Sequence, residues 1–365
     1  MAERRSHPVA QLAFVIVIIA LGLGVIETAL RYENWPRPLL SGWRATESGG
    51  PLNAFGWRGQ PPRRHQPGEF VVVMTGGGAV ECLACPRDET LDVMLERALR
   101  RYNPDARVVT LGGTGYGQDQ EFLALYEYFA RARADLVVTW TSIADDVPAN
   151  TFRSGQKRPG QTVLKPSFAL RGGDLLGPTE WLGQPIYSSK LSQLIRPWFI
   201  DIDRNWTILL PPADPGAASP PDAETQSQVD ERLEQQRSAW SIWLTPRPAR
   251  VNYGIELTRV LLTHMREVST LRGARFTLLL TPAAADRQAA APIALVHAGH
   301  WFLADPATRD AAIAEVTDGF DTVSLPSEDS NPTSPEAARR MMTRLAEALS
   351  QRDLLTPVIV SGIRH

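Results

Sequence analysis

The stretch VVVMTGGGAVECLAC, Val71 to Cys85, joins an apolar run to a turn of three glycines. Its apolar residues from Val71 to Met74 have the length and the β-branched content of a strand that is buried on both faces. Three consecutive glycines allow the backbone to turn sharply after such a strand. In open α/β sheets, ligands and catalytic groups lie at the carboxyl ends of the strands. The glycine turn therefore stands at an active-site position, yet its residues carry no side chains for chemistry.

Strand-like and helix-like segments alternate along most of the chain. The last of the helix-like segments has Ser334 at a position that suits an N-cap and Pro335 at the first helical position. Alternation of this kind predicts an α/β fold with three α/β/α layers, in which helices cover both faces of a central parallel sheet. The predicted strands are 70–75, 107–111, 135–139, 276–280 and 322–325.

Length and charge limit the classes of function. The 365 residues are enough for one large domain or two small ones. A formal net charge of -2 gives no general basic field, so we expect no nucleic-acid partner. The predicted organisation begins with an N-terminal tail at 1–7, a transmembrane anchor at 8–30 and a tether at 31–66 that lies on the domain surface. An α/β domain at 67–350, with a Pro- and Trp-rich insertion at about 151–252, and a C-terminal tail at 351–365 follow.

The segment PVAQLAFVIVIIALGLGVIETAL, Pro8 to Leu30, contains one charged residue, Glu27. About 22 residues at a rise of about 1.5 Å each span about 33 Å, which is enough to cross a bilayer. A cleaved signal peptide is the competing interpretation, but its apolar core is usually shorter. We expect a single-pass anchor in the inner (cytoplasmic) membrane, with the soluble domain in the periplasm or outside the cell. Arginines flank the segment on both sides, so charge alone gives little information on orientation.

Cys82 and Cys85 form a C-x-x-C motif. In an oxidising compartment this spacing favours a local disulfide or a pair of idle thiols. Haem attachment would require histidine after the second cysteine, where Pro86 stands. A zinc site would require two more ligands, which His297 and His300 could supply only by accident of the fold. The sequence therefore predicts neither a metal nor a cofactor.

The alternation of strands and helices fails between residues 150 and 252, where half of the ten tryptophans lie. One interpretation is that these rings pack the insertion against the edge of the sheet. The other is a docking surface for a second protein, because Trp supplies a large contact area at low entropic cost. The candidate docking residues are Trp181, Trp198, Trp206, Trp240 and Trp243.

Five segments in order resemble sequence blocks of the SGNH/GDSL hydrolase family, particularly its membrane-anchored bacterial members. NAFGWRG (53–59) is similar to an N-terminal motif of those members, and VVVMTGGGAVE (71–81) occupies the place of the Gly-Asp-Ser nucleophile block. TLGGTGYGQDQ (110–120) and WTSIADDVPAN (140–150) look like the second and third blocks. LPSEDSNPTSPEAAR (325–339) falls where an Asp-x-x-His block is expected. The resemblance implies an SGNH/flavodoxin-like three-layer domain.

The same resemblance implies that catalytic residues have been lost. The family's serine falls on Gly77, and its histidine falls on Pro332 when Asp329 is taken as the acid. Asp145 replaces the oxyanion-hole asparagine, and only Gly115, which would lend a backbone N–H, matches its position. Ester hydrolysis by this route needs a hydroxyl, a base and donors to the negative oxygen. The resemblance therefore implies a pseudo-hydrolase.

Other assignments of the site remain open from the sequence. A register shifted by one places the family serine on Gly78, and taking Glu328 as the acid places the histidine on Asn331. Thr75 and Cys82 are alternative nucleophiles, but the sequence places no base beside either residue.

The glycines do not fit a nucleotide site. A dinucleotide fingerprint would need glycine where Glu81 stands, and a P-loop would need Gly-Lys-Ser/Thr after the turn. A backbone nest for an anion would be opposed by the negative charge of Glu81, Asp145, Asp146 and Asp329. The acidic residues could instead hold a cation, but Asp146 suits a simpler role in capping local backbone.

Three classes of function stay open. We expect a non-catalytic, membrane-anchored accessory or structural subunit of a larger membrane protein complex. The alternative is a glycan-binding protein, or one related to glycan esterases and acetyltransferases. The third class is a working enzyme with relocated catalytic residues. The expected partners are the membrane and other subunits of the complex, with a glycan under the alternative.

Overall fold

The computed structural model describes fourteen stretches of the chain. They are residues 8–32, 53, 56–86, 88–151, 155–158, 161–164, 167–179, 191, 239–245, 247, 249–282, 292–297, 300–325 and 334–356. The helices are α1 (Pro8–Tyr32), α2 (Gly78–Glu81), α3 (Leu91–Leu99), α4 (Gln118–Phe129), α5 (Ile143–Thr151), α6 (Ala249–Leu271), α7 (Pro306–Thr317) and α8 (Pro335–Gln351). The strands are β1 (Phe70–Gly76), β2 (Ala106–Gly112), β3 (Leu136–Thr141), β4 (Gly155–Arg158), β5 (Gln161–Leu164), β6 (Ser167–Arg171), β7 (Asp174–Thr179), β8 (Leu244–Thr245), β9 (Arg275–Leu280), β10 (Ile293–His297), β11 (His300–Ala304) and β12 (Thr322–Ser324).

The central sheet has five strands in the order β12-β9-β3-β1-β2, and every neighbouring pair is parallel. In β1 the side chains alternate between two cores: Val71 and Val73 belong to one, and Val72 and Met74 to the other. Helices α4 to α7 pack in the first core, and α3 and α8 pack in the second. The predicted α/β fold with a central parallel sheet between helices is confirmed.

The predicted start of the last helix is also confirmed. Ser334 is the N-cap of α8, and its side-chain oxygen accepts a hydrogen bond from Ala337 N at 3.2 Å. Pro335 occupies the first helical position, where its missing N–H costs no intrahelical hydrogen bond.

Helix α1 begins at the predicted residue and extends two residues beyond the predicted end, to Tyr32. Gln11–Tyr32 is long and apolar enough to cross a membrane, and its large apolar side chains are exposed. A signal sequence near an N-terminus would meet the same requirement. The helix thus supports membrane anchoring by length and composition.

Residues 56–66, here called the strap, belong to the predicted tether, which was expected to lie on the domain surface, and they pack on the domain. Trp57 is fully buried, and Arg58 donates hydrogen bonds to Cys82 O at 2.6 Å and to Cys85 O. Gly59 has φ +122°, and a Cβ there would lie 2.7 Å from Thr110 Oγ1. Trp57 and Arg58 therefore fix this part of the tether on the domain.

Asp92, in the first turn of α3, binds the strap through a hydrogen bond. Its Oδ2 accepts a hydrogen bond from Gln60 N at 2.6 Å, and its side chain is buried. Burial raises the pKa of Asp92 above its usual range. The folded state therefore holds this proton more tightly than the unfolded state does. The resulting stability is present below the ordinary aspartate pKa of about 3.9 and is lost as pH rises through the raised pKa.

The free energy of unfolding of Asp92→Asn should therefore increase relative to that of the natural chain as pH rises. Asparagine keeps an acceptor for Gln60 N and removes the charge that burial disfavours. Denaturant unfolding across a pH series should show the difference in free energy of unfolding growing from acid toward neutral pH. Asp318→Asn, at an exposed site, is the control and should show no such slope. A difference for Asp92→Asn that is flat, or that falls with pH, would contradict the assignment.

Candidate functional site

The glycine turn lies at the carboxyl ends of three adjacent strands, β2, β1 and β3. Val80, on the short helix α2, fills the space directly above the ends of β1 and β2. A Cβ built on Gly76 would overlap Val80 Cγ2, and one built on Gly112 would lie 2.7 Å from Val80 Cβ and 2.8 Å from Gly76 O. These two glycines therefore serve packing, because they admit Val80 between the strand ends.

This packing predicts a coupled pair of substitutions. Gly76→Ala should lower the free energy of unfolding by about 1–3 kcal/mol, since the new methyl group overpacks the site. Val80→Ala in the same chain removes the overlapping methyl and should recover part of that loss. A double-mutant cycle in urea measures the coupling. Strictly additive effects would show that Val80 does not occupy this space.

Gly77 and Gly78, the two positions that the resemblance aligns with the serine, are less constrained. A Cβ on Gly77 would lie 3.3 Å from Tyr116 O, and one on Gly78 would lie 3.3 Å from Thr114 Oγ1. Neither residue has a positive φ. A small side chain would need only a slight local adjustment at either position, so the fold does not impose the loss of a side chain here.

The second block places Gly115 in a turn with φ +80°, a conformation that favours glycine. Beside it, both the backbone N and the Oγ1 of Thr114 donate to Glu81 Oε2, at 2.7 and 2.6 Å. Glu81 is only 4% exposed. The donors of Thr114 therefore bind a carboxylate of the protein itself.

Asp145 and Asp146, in the third block, lie in the first turn of α5. Asp145 is exposed, and its Oδ2 accepts a hydrogen bond from Ser142 Oγ at 2.9 Å. Asp146 Oδ2 accepts from Ser142 N at 2.9 Å, which is the local capping role expected for Asp146. Carboxylates at this position are stabilised by the positive end of the helix dipole. Both acids thus help to hold the start of α5.

Thr75 and Cys82, the alternative nucleophiles, are both engaged. Thr75 Oγ1 donates to Glu121 Oε2 at 3.0 Å and lies 3.0 Å from Thr139 Oγ1. The expectation that no base lies beside Thr75 is therefore wrong, because α4 brings Glu121 to it. However, Thr75 is fully buried, so a substrate cannot reach its hydroxyl. Cys82 forms a disulfide with Cys85.

A buried polar network joins side chains of α4, α5 and α6, and the sequence did not predict it. Gln118 Nε2 donates to Asp146 Oδ2 at 2.7 Å, and Asn150 Nδ2 donates to Gln118 Oε1 at 2.6 Å and to Thr258 Oγ1 at 2.9 Å. Asn150 Oδ1 accepts from Asp119 N at 3.3 Å. The signal was available in part, since Asp146 and Asn150 are four residues apart and share one face of a helix.

Several predicted residues lie outside the described part of the chain. They are Glu328, Asp329, Asn331, Pro332, Trp181, Trp198 and Trp206. Trp240 and Trp243 are described, and the docking interpretation does not hold for them. Both rings are buried in the first core, with their centroids 5.0 Å apart, and the Arg309 guanidinium lies 4.4 Å above the Trp243 ring. These two tryptophans stabilise the fold instead.

No group of three or more His, Cys, Asp or Glu side chains suited to a metal occurs within the described stretches. Comparison of the chain with protein-family models and with curated proteins finds no match.

Proposed function

We propose that this chain is a non-catalytic, membrane-anchored α/β protein that acts as an accessory or structural subunit of a larger membrane protein complex. The observation that carries the proposal is that the protein's own side chains fill the carboxyl ends of β1 and β2. Val80 fills the space between Gly76 and Gly112, and Glu81 takes up the donors of Thr114. A hydrolase of the type that the sequence resembles needs a nucleophile at Gly77 or Gly78 and free oxyanion donors beside it; here both positions lack a side chain, and the neighbouring donors of Thr114 bind Glu81.

The two alternative nucleophiles also support a non-catalytic role, because neither is available to a substrate. Thr75 is inaccessible and Cys82 is bonded to Cys85. A buried hydroxyl next to a carboxylate stabilises the fold but cannot attack a substrate that does not reach it. The disulfide also fits a domain in an oxidising compartment, as expected for the periplasm or the cell exterior.

Helix α1 supports a partner within the membrane. Ala20, Gly24 and Thr28 recur at intervals of four residues, and they line one open groove along the helix together with Leu21, Val25, Ala29 and Tyr32. A Cβ on Gly24 would meet no atom within 4 Å among those that the structure describes. Small residues at this spacing let two transmembrane helices approach closely. A second membrane helix is the partner that fits such a face.

A hydrolysis assay tests the non-catalytic part of the proposal. The full chain, purified in a mild detergent, should hydrolyse simple acyl esters and acetylated sugars no faster than buffer with the same detergent. Thr75→Val and Cys82→Ser are the matched variants, and neither should change the rate. Turnover above the detergent blank that is lost in either variant would mean that the chain is an enzyme with relocated catalytic residues.

A further inference from the structure

Arg107, in the edge strand β2, is a buried cation that lacks a carboxylate partner. It is only 4% exposed, and its Nη2 donates to Pro61 O at 3.0 Å. Its Nη1 is buried without a hydrogen-bond partner, and no described carboxylate lies within ion-pair distance of it. Burial lowers the pKa of Arg107 and the nearby charge of Arg63 adds to this effect, while the more distant carboxylates of Glu69 and Glu96 partly oppose it. A buried charge is costly unless an opposite charge and hydrogen bonds compensate it.

Arg107 lines a cavity of about 250 Å³ at the amino end of β2, opposite the glycine turn. Strap residues Gln60 and Arg63 form one side, and Glu96 and Arg100 of α3 form another. This volume is below the range of about 300–1,000 Å³ typical of sites for drug-sized ligands, so it suits a smaller molecule. Three arginines, Arg63, Arg100 and Arg107, thus line one small space, together with the acidic residues Glu69, Glu96 and Asp105.

The two half-buried carboxylates of this cavity, Glu69 and Glu96, already accept hydrogen bonds from donors of the protein. Glu96 Oε1 pairs with Arg100 Nη2 at 2.6 Å, and its Oε2 accepts from Gln60 Nε2 and from Val108 N at 3.2 Å each. Glu69 accepts from Arg63 and, at 2.9 Å, from Gln66 N.

Asp105, the remaining carboxylate of the lining, is exposed to solvent. Among the described residues that line the cavity, one buried side-chain atom has no hydrogen-bond partner, and it is a donor, Arg107 Nη1. A ligand that supplies an acceptor and negative charge would satisfy it.

We propose that this cavity binds a small oxyanion of the phosphate class, whose oxygens pair with Arg107 and reach Arg63 or Arg100. Arginine binds phosphate through charge-assisted hydrogen bonds, often with two nitrogens at once. Because strap residues form one wall, the bound anion would also fasten the strap to α3. The phosphate can be free inorganic phosphate or the phosphomonoester headgroup of a membrane lipid. The proposal is independent of the proposed function, since the cavity lies at the other end of the sheet.

The test is titration calorimetry of the full chain in a nonionic detergent with inorganic phosphate, at constant ionic strength set by chloride. We expect saturable binding that weakens at least about tenfold in Arg107→Gln, since a charge-assisted contact is lost. Arg63→Gln, which changes a half-exposed side chain, should weaken phosphate binding severalfold. This variant tests the proposal if Arg107→Gln does not fold. Arg272→Gln, an exposed site outside the cavity, should bind as the natural chain does.

A short-chain phosphatidic acid, added to the same micelles, distinguishes the two sources. If this lipid displaces inorganic phosphate at a concentration lower than that of the phosphate, the site would be assigned to a lipid headgroup. Failure of the lipid to compete, with inorganic phosphate still bound, would assign it to free phosphate. The proposal would be overturned if phosphate showed no saturable binding, or if Arg63→Gln and Arg107→Gln bound phosphate as tightly as the natural chain does. Tighter binding of acetate than of phosphate would overturn it as well.

Discussion

Trp57→Ala is expected to lower the free energy of unfolding by about 3–5 kcal/mol, the usual cost of removing a large buried aromatic side chain. Trp57 is fully buried in the first core, and it is the apolar anchor of the strap. Its backbone also closes a turn with Asn53, since Asn53 N donates to Trp57 O at 2.8 Å. Loss of the ring should therefore detach the strap as well as leave a cavity. Urea unfolding of the full chain in detergent measures the change in stability.

Limited trypsin digestion reports on the strap directly, because Arg58, Arg63 and Arg64 lie within it. We expect faster cleavage at these sites in Trp57→Ala than in the natural chain. Tyr126→Ala is the matched control, because that ring is 62% exposed and its loss should change stability by less than about 0.5 kcal/mol. A loss below about 1 kcal/mol in Trp57→Ala, with unchanged cleavage, would show that the strap is not part of the core.

Asn150→Ala should have the second largest effect, a loss of about 2–4 kcal/mol, because it leaves buried groups without hydrogen-bond partners. Its Nδ2 serves Gln118 and Thr258, and its Oδ1 serves Asp119 N. Water cannot replace these contacts easily, since all three partner residues are at most 1% exposed. Thermal and urea unfolding measure the loss, and the three helices that the network joins should loosen together.

Two variants separate hydrogen bonding from volume at this position. Asn150→Asp keeps the shape but cannot donate to Gln118 or Thr258, and it adds a charge close to Asp146, so it should be at least as destabilising as alanine. Asn103→Ala removes hydrogen bonds near the surface, to Leu355 O and from Asp105 N, and should cost less than about 1 kcal/mol. A stable Asn150→Asp variant would contradict the role of the network.

The central sheet could be predicted because its strands are continuous apolar runs. All seven residues of β1 are buried, which is what an apolar run bounded by glycines indicates for a central parallel strand. The start of α8 was equally predictable, since Ser334 and Pro335 act through local chemistry. Features fixed by a few neighbouring residues can thus be inferred without the fold.

The strap and the polar network could not be predicted because their partners are distant in sequence. Residues 56–66 have no periodicity, and their packing depends on Trp57 and on single contacts such as Arg58 to Cys82 O. Gln118 and Asn150 are polar, and polar residues are usually exposed, so their burial is invisible in the sequence. The bond from Asn150 to Thr258 spans 108 residues. The resemblance gave positions such as Gly77 but not the packing of Val80 above the strand ends.

If the chain is a subunit held by a partner in the membrane, native extraction should recover it together with that partner. The full chain with an affinity tag is extracted from its own membranes in a gentle detergent, captured, sized under native conditions and quantified by mass spectrometry. Gly24→Leu fills the small-residue face of α1, and Gly22→Leu places the same side chain off that face, at a glycine with equal free space.

We expect a stoichiometric membrane assembly with the natural chain and with Gly22→Leu, and its loss with Gly24→Leu. Recovery of the chain alone, at the size of a monomer in its micelle, would contradict this expectation. So would an assembly that Gly24→Leu leaves intact.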